Sequence, residues 1–253
     1  MIPIKKEADI DKMKQSADIL VQTFRAIEKV ICPGVRTSKL DEVAESTIDS
    51  HGGTPAFKGY RGFPASVCVS IDSQVVHGIP GDRQLEDGQL VSVDIGVVKD
   101  GYYADAAKTY GIGDMPQDKA ELMRSTRAAL HRGIKKCREG HRVSDISHAI
   151  QSYVENRNYS VVRALVGHGI GTQLHEEPQI PNYGAPNTGP KLKAGMVLAI
   201  EPMINMGTHE VKFLDDGWTV ETMDGSPSAH FEHTVLITKG KPEVLTLELD
   251  DGE

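Results

Sequence analysis

Two aspartates near the middle of the chain lie in a pattern that predicts a β-hairpin. Asp100-Gly101 stands between two apolar runs, which is a strong signal for a two-residue hairpin turn. With that turn Gly96 faces Asp105, and Asp94 lies diagonally from Asp105 on the same face of the ribbon. Gly96 predicts open space beside the acids. Two such carboxylates repel each other unless one is protonated or a cation lies between them, although both could also be solvated on an exposed ribbon.

Other polar residues stand beside apolar runs, where a solvated surface position is a poor explanation. Glu201 follows the run 196–200, Glu232 opens another apolar run, and His168 and His175 lie in a glycine-rich segment and just after it. A glutamate at the edge of a buried strand is costly unless it is paired or bound to a metal. A single glutamate of this kind is more often a salt-bridged structural residue. Together with the aspartate pair, the set favours a metal site.

The balance of charge indicates how many cations such a site would hold. Asp94, Asp105, Glu201 and Glu232 carry four negative charges, and no Lys or Arg adjoins any of them in sequence. Two divalent cations would balance these charges, with His168 as the single nitrogen ligand. Oxygen-rich ligation with one imidazole suits manganese, iron or cobalt better than a structural zinc site. A two-metal site about 3.5–4 Å across activates a bridging water and polarises a carbonyl oxygen of the substrate.

Composition excludes several other classes of protein. The 253 residues include 39% hydrophobic and 25% charged ones, which is an ordinary globular composition. No run approaches the roughly 18 apolar residues that span a membrane, and the first residues lack the apolar core of a secretion signal. Three widely spaced cysteines argue against a disulfide framework, so we expect a cytoplasmic protein. The net charge of −8 argues against nucleic acid, DNA included, as the main ligand, although a local basic patch could still contact RNA.

Hydrophobic periodicity predicts the order helix, helix, sheet, twice over. Helices are expected over 7–31, from near Ser38 to Gly52, and over about 117–137, with strands after each pair. A fourth helix is expected to carry Ile146, Ile150, Tyr153 and Val154. Five residues recur at a constant offset of 106, which indicates an internal repeat unless the matches are chance: Gly34, Arg36, Ser38, Leu40 and Ser46 correspond to Gly140, Arg142, Ser144, Ile146 and Ser152. No linker separates the halves, so we expect an α/β (α+β) protein with one domain over 1–253, halves of about 1–110 and 111–253, and helices packed on a shared sheet layer.

At this point the chain resembles the methionine aminopeptidases of the short bacterial (type I) kind, nearly end to end. The resemblance rests on five local motifs in order: Val-Asp94-Ile-Gly, Ala-Asp105-Ala-Ala-Lys-Thr, Gly-His168-Gly-Ile-Gly, Ile-Glu201-Pro-Met and Phe-Glu232-His-Thr. It implies the pita-bread fold, in which two pseudo-symmetric halves form a curved antiparallel sheet covered by helices. It also implies that Asp94 and Asp105 bind one metal, that His168 and Glu201 bind the other, and that Asp105 and Glu232 bridge the two.

The same resemblance implies roles for further residues. His77 would contact the substrate, His175 would donate a hydrogen bond to the developing oxyanion, and Glu201 would also relay a proton. Leu174 stands where an aromatic residue is expected, and His230 where Gln is commoner. The residues that match the family's methionine pocket, whose alternative role is plain core packing, are Phe57, Tyr60, Phe63, Cys68, Leu174 and Trp218.

The implied activity is removal of the initiator methionine from nascent proteins whose second residue is small. It would use two divalent metal ions per chain, drawn from cobalt, manganese, iron, zinc and nickel. The implied partners are nascent polypeptide N-termini and the ribosome near its exit tunnel, with a monomer expected and no membrane association. Two alternatives remain open. One is a proline-directed peptidase of the aminopeptidase P or prolidase kind, and the other is a non-catalytic pita-bread protein that binds peptides or RNA.

Overall fold

Four α-helices form the outer layer of the protein, for which a computed structural model describes residues 2–246. The first helix buries an apolar stripe that includes Met13, Leu20 and Phe24, at the spacing of an amphipathic helix. It ends at Glu28, earlier than predicted, and the chain then turns before the second helix. The helices are α1 (Glu7–Glu28), α2 (Thr37–Ser50), α3 (Gln117–Ile134) and α4 (Val143–Glu155).

The strands follow the helices in two groups, as the sequence predicted. Every strand ladder in the described part of the chain is antiparallel. The apolar run 161–166 is an exception to prediction, because only its first residue lies in a strand. The strands are β1 (Thr54–Pro55), β2 (Val67–Ile71), β3 (Gln74–Val76), β4 (Leu90–Lys99), β5 (Tyr102–Gly111), β6 (Ser160–Val161), β7 (Gly167–Gly169), β8 (Glu176–Ile180), β9 (Val197–Ile200), β10 (Met203–Asn205), β11 (Val211–Phe213), β12 (Val220–Thr222), β13 (Ser228–His230), β14 (His233–Leu236) and β15 (Glu243–Val244).

Two larger sheets carry most of the residues of interest. In the first, the long strand β4 pairs with β5 along its whole length and also pairs with both β2 and the short β1. The second has the order β15-β14-β9-β7-β8. Two short three-stranded sheets, β13-β10-β6 and β11-β12-β3, complete the layer. The larger sheets meet where Ala107 and Glu232 exchange backbone hydrogen bonds, and where the Thr234 hydroxyl contacts the backbone of Asp105. The α/β class with antiparallel sheets under helices is confirmed.

The hairpin of β4 and β5 has the predicted register. Gly96 pairs with Asp105, and Asp94 pairs with Ala107 on the neighbouring strand. The turn residues Asp100 and Gly101 have φ angles of 49° and 77°, the left-handed pair that a type I′ turn requires. The odd-numbered residues of β4, from Val91 to Val97, are fully buried against α1 and α2. The side chains of Asp94 and Asp105 therefore lie on the opposite face of the hairpin.

The expected open space at Gly96 is not there. A Cβ atom at this position would lie 2.6 Å from Cε1 of Phe57, so the ring occupies the room that a side chain would need. Phe57 comes from the segment after β1, which pairs with the far end of β4. A glycine at this point therefore lets an aromatic wall approach the aspartates.

The loops before α2 and α4 share a detailed geometry. Gly34 and Gly140 have φ angles of 86° and 88°, and their N–H groups donate to the carbonyl oxygens of Leu85 and Leu192 respectively. Such a correspondence is what a duplicated unit would leave behind, and the division into two halves stays a prediction. None of the described helices combines the length and the apolar character that crossing a bilayer requires.

Candidate metal centre and its pocket

All thirteen residues singled out from the sequence line one cavity of about 170 Å³. They come from the two larger sheets and from loops, and His77 and Trp218 adjoin strands β3 and β12 of one of the small sheets. One further residue, Arg61, completes the lining, and it is the only Lys or Arg among the lining residues. The thirteen are Phe57, Tyr60, Phe63, Cys68, His77, Asp94, Asp105, His168, Leu174, His175, Glu201, Trp218 and Glu232.

Four carboxylates and one imidazole form the floor of this pocket, and each comes from a strand or from a residue next to one. Asp94 and Asp105 come from the β4–β5 hairpin and His168 from the centre of β7, which pairs with β9. Glu201 directly follows β9, and Glu232 lies between β13 and β14. The sheet junction therefore collects groups that are far apart in sequence.

The distances on the floor are those of a ligand cluster. Ligand atoms of Asp105, His168 and Glu232 all lie within 4.8 Å of one another, and all three residues are buried. Nε2 of His168 is 3.4 Å from Oε1 of Glu201 and 4.0 Å from Oδ2 of Asp105. Buried oxygens of Asp94, Asp105 and Glu232 have no hydrogen-bond partner. Since buried polar atoms are nearly always paired, these atoms fit a cation better than a purely structural role.

The His168 ring is oriented so that one nitrogen faces the acids. Its Nδ1 atom lies 2.9 Å from the carbonyl oxygen of Gly169, which can only accept a hydrogen bond. The Nδ1 proton is thereby fixed, and Nε2 keeps its lone pair for a metal ion. A second hydrogen bond of this kind is typical of histidine ligands.

The four acids are too crowded to ionise together. Burial raises the pKa of Asp94 to about 7. Burial, followed by the neighbouring carboxylates, raises the pKa values of Asp105, Glu201 and Glu232 well above their usual range. A bound cation would favour the ionised forms, so cation binding at this centre would release protons.

The His175 ring, which also lines the pocket, has two neighbours that affect its protonation, Tyr60 and Arg61. Its Nδ1 atom lies 2.9 Å from the Tyr60 hydroxyl, and the Arg61 guanidinium lies 5.3 Å from the centre of the Tyr60 ring. His175 is open to solvent on one side, yet its packing against neighbouring atoms and then the Arg61 charge lower the pKa of its imidazole. If Tyr60 donates to Nδ1, the remaining proton of the neutral ring is on Nε2.

His77 also lines the pocket, and its backbone has a strained conformation. Its φ angle is 60°, which is uncommon for a residue other than glycine and often marks a functional site. Burial, and then His175, lower the pKa of His77 to about 4, so the ring is neutral at pH 7. Its ring lies edge to face with that of Trp218, with the centroids 6.4 Å apart.

The pocket wall is apolar. Phe63 packs against Trp218 with ring centroids 5.1 Å apart, and Leu174 is almost fully buried. Cys68 pairs with Asp94 across β2 and β4. Burial, and then the Asp94 charge, raise the pKa of the Cys68 thiol well above its usual value, so the thiol stays protonated and is a wall residue rather than a ligand.

Sequence reasoning missed Arg61 as a lining residue. Its position between two predicted wall residues, Tyr60 and Phe63, could have indicated that it lines the pocket. Its left-handed backbone, with a φ angle of 49°, could not be read from the sequence. His230, noted only as an unusual residue beside Glu232, is 2% exposed, and its Nε2 atom lies 3.8 Å from Oε2 of Glu201.

A larger cavity of about 1240 Å³ lies elsewhere, between α3 and α4. Five Lys and Arg side chains line it, with Asp145 as the only acid. Asp145 already accepts backbone hydrogen bonds from Arg142 and Asn187. Size alone would favour this groove, but the unpaired buried ligand atoms described above lie in the smaller pocket, which we therefore take as the site.

Comparisons with known proteins identify the family of this chain. The model of metallopeptidase family M24 matches residues 11–239. A methionine aminopeptidase of Clostridium perfringens is 51% identical over 98% of this chain and 99% of its own length. The crystal structure of a methionine aminopeptidase from Thermotoga maritima superimposes with a TM-score of 0.96 at 45% identity, covering 97% of this chain and 99% of that one. A prolidase from Pyrococcus furiosus shares the fold, with a TM-score of 0.78 at 23% identity over 96% of this chain and 65% of that chain.

Proposed function

The chain belongs to metallopeptidase family M24 and, within it, to the methionine aminopeptidases, and from this membership we propose that it removes N-terminal methionine from polypeptides whose second residue is small. The observation that carries the proposal is the convergence of Asp94, Asp105, His168, Glu201 and Glu232 on the floor of one apolar pocket. The pocket offers ligands for cations and a wall for an unbranched thioether side chain in the same small space.

We assign the five ligands to two divalent cations. Asp94 and Asp105 would hold one, His168 and Glu201 the other, and Asp105 and Glu232 would bind both. The donor set suits manganese, iron or cobalt, and zinc or nickel are also compatible with it. When bound, the two cations would lower the pKa of a water and polarise the scissile carbonyl group.

Glu201 is proposed to move the proton. Its carboxylate would accept a proton from the attacking water and pass it to the leaving amine as the peptide bond breaks. Its carboxylate lies among the proposed ligands, with Oε1 3.4 Å from Nε2 of His168, which supports this assignment. The side-chain amide of Asn182 donates a hydrogen bond of 3.0 Å to the backbone carbonyl of Glu201, which supports a fixed position for Glu201.

His175 and His77 are proposed to act on the substrate from above the acids. The Tyr60 hydroxyl would donate to Nδ1 of His175, which leaves the proton of the neutral ring on Nε2, where it can donate to the carbonyl oxygen as negative charge develops. His77, neutral and half-buried next to Trp218, would contact the peptide near the scissile bond.

The methionine side chain is proposed to lie against the apolar wall. Phe57, Phe63, Cys68, Leu174 and Trp218 would surround it, with Tyr60 at the rim as the sixth wall residue. A cavity of about 170 Å³ supports a limit on the size of the next residue as well. Nascent polypeptide N-termini are therefore the proposed substrates, and docking near the ribosome exit tunnel, a monomeric state and a cytoplasmic location are proposed on the family resemblance.

A panel of tripeptides tests the proposed function. Purified protein should hydrolyse Met-Ala-Ser and lose this activity in chelator. The kcat/KM for Met-Leu-Ser should be at least about tenfold lower, because the larger second residue competes for space in the pocket. A preference for Ala-Pro-Ala would favour the proline-directed alternative instead. Cleavage that chelator leaves unchanged, or no cleavage with any added metal, would refute the metalloaminopeptidase assignment.

A further inference from the structure

His230 is a buried histidine whose ring has no hydrogen-bond partner on either side. It is 2% exposed, and both Nδ1 and Nε2 are without a partner among the described residues. Its backbone is held firmly, because its N–H donates to Oγ1 of Thr109 and its carbonyl accepts from the same hydroxyl. It also pairs with Met203 across β13 and β10. Unpaired ring nitrogens on a well-anchored buried residue are rare, so they call for an explanation.

The His230 ring lies close to Glu201, which His168 also approaches. Nε2 of His230 lies 3.8 Å from Oε2 of Glu201, while Nε2 of His168 lies 3.4 Å from Oε1 of the same carboxylate. Each oxygen of Glu201 thus faces a different imidazole. A movement of the carboxylate by about 0.9 Å would bring the His230 pair into hydrogen-bond range.

These distances argue against His230 as a direct ligand of a cation. Within 4.0 Å among the described residues, Nε2 of His168 approaches two of the proposed ligands, Asp105 and Glu201, whereas Nε2 of His230 approaches the carboxylate of Glu201 alone. His230 is thus placed to act on Glu201 rather than on several ligands at once.

We propose that His230 is a positioning residue for the metal centre, in which its Nε2–H group donates to Oε2 of Glu201 and leaves Oε1 for the cation shared with His168. The proposal rests on the proposed function, because it assumes that Glu201 is a metal ligand. Residues that orient a ligand in this way commonly change metal affinity by about 10- to 100-fold. Glutamine at this position would also present an N–H donor, whereas leucine would fill a similar volume without one.

Calorimetric titration of metal-free protein with Mn(II) and Co(II) tests the proposal. His230→Leu should bind one of the two cations about 10- to 100-fold more weakly, while His230→Gln should stay within about threefold of the wild type. His141→Ala is the matched control, because Nδ1 of His141 is also buried without a hydrogen bond but lies at the α3–α4 groove. Circular dichroism and thermal unfolding of each variant report whether the fold is retained.

Two outcomes would overturn the positioning role. One is wild-type affinity for both cations in His230→Leu. The other is equal loss in His230→Gln and His230→Leu together with a changed visible spectrum of the Co(II) protein, which would make His230 a direct ligand. In both cases the wild-type protein would still bind cations and hydrolyse Met-Ala-Ser, so the proposed function would stand. A wild-type protein that neither binds cations nor cleaves this peptide would refute the proposed function itself. If His230→Leu does not fold, a His230→Gln variant with affinity reduced tenfold or more also contradicts the proposal.

Discussion

Asp105→Ala is expected to reduce the kcat/KM for Met-Ala-Ser to below about 1% of the wild-type value, even with saturating Mn(II). Asp105 is buried within 4.8 Å of ligand atoms from His168 and Glu232, and we assign it to both cations. Its loss would remove one of the two bridging carboxylates. The fold should survive, because the hydrogen bonds between Asp105 and Thr234 use only the Asp105 backbone.

The same variant makes a second, opposite prediction about stability. In the metal-free protein the neighbouring carboxylates raise the pKa of Asp105, so removing it relieves repulsion. The Tm of metal-free Asp105→Ala should therefore equal or exceed that of the metal-free wild type, while the gain in Tm on adding Mn(II) should largely vanish. Asp11→Ala, an exposed change on α1, is the control. More than a few per cent of the wild-type kcat/KM in Asp105→Ala would show that Asp105 is not an essential ligand.

His175→Ala is expected to reduce kcat by about 10²–10³-fold with little change in KM. The proposed hydrogen bond from Nε2 strengthens only as the carbonyl oxygen gains charge, so its loss should affect the transition state more than binding. Steady-state kinetics with Met-Ala-Ser at saturating metal measure both constants.

Tyr60→Phe is the matched variant for this experiment. It removes the hydroxyl that lies 2.9 Å from Nδ1 of His175 but keeps the aromatic wall. Its kcat should fall less than that of His175→Ala, because the imidazole remains and only its preferred tautomer is lost. A His175→Ala variant in which KM rises while kcat stays constant would instead make His175 a simple binding residue.

The local part of the site could be predicted because β-hairpin geometry is periodic. A two-residue turn at Asp100-Gly101 determines every pair along the ribbon, so the placement of Asp94 and Asp105 on one face followed directly and is confirmed. The meeting of this hairpin with Glu232 could not be derived this way. It depends on backbone bonds between Ala107 and Glu232, which are far apart in sequence, and only the family resemblance implied it.

The errors and omissions share that cause. Gly96 was interpreted as open space because no local pattern reveals that Phe57 packs onto it from the segment after β1. Arg61 was overlooked because its place at the pocket rim results from a left-handed backbone within the turn after Gly59. The catalytic and ligand roles of the site residues, as distinct from their positions, stay predictions.

Titration of the chelated wild-type protein with Mn(II), followed on the same samples by calorimetry and by hydrolysis of Met-Ala-Ser, tests the central claim most directly. The account predicts no hydrolysis in the chelated protein, recovery on addition of metal, and two cations per chain at saturation, with proton release as the crowded carboxylates of Asp94, Asp105, Glu201 and Glu232 ionise. Full hydrolysis by protein that holds no cation, or saturation without any recovery of activity, would contradict it.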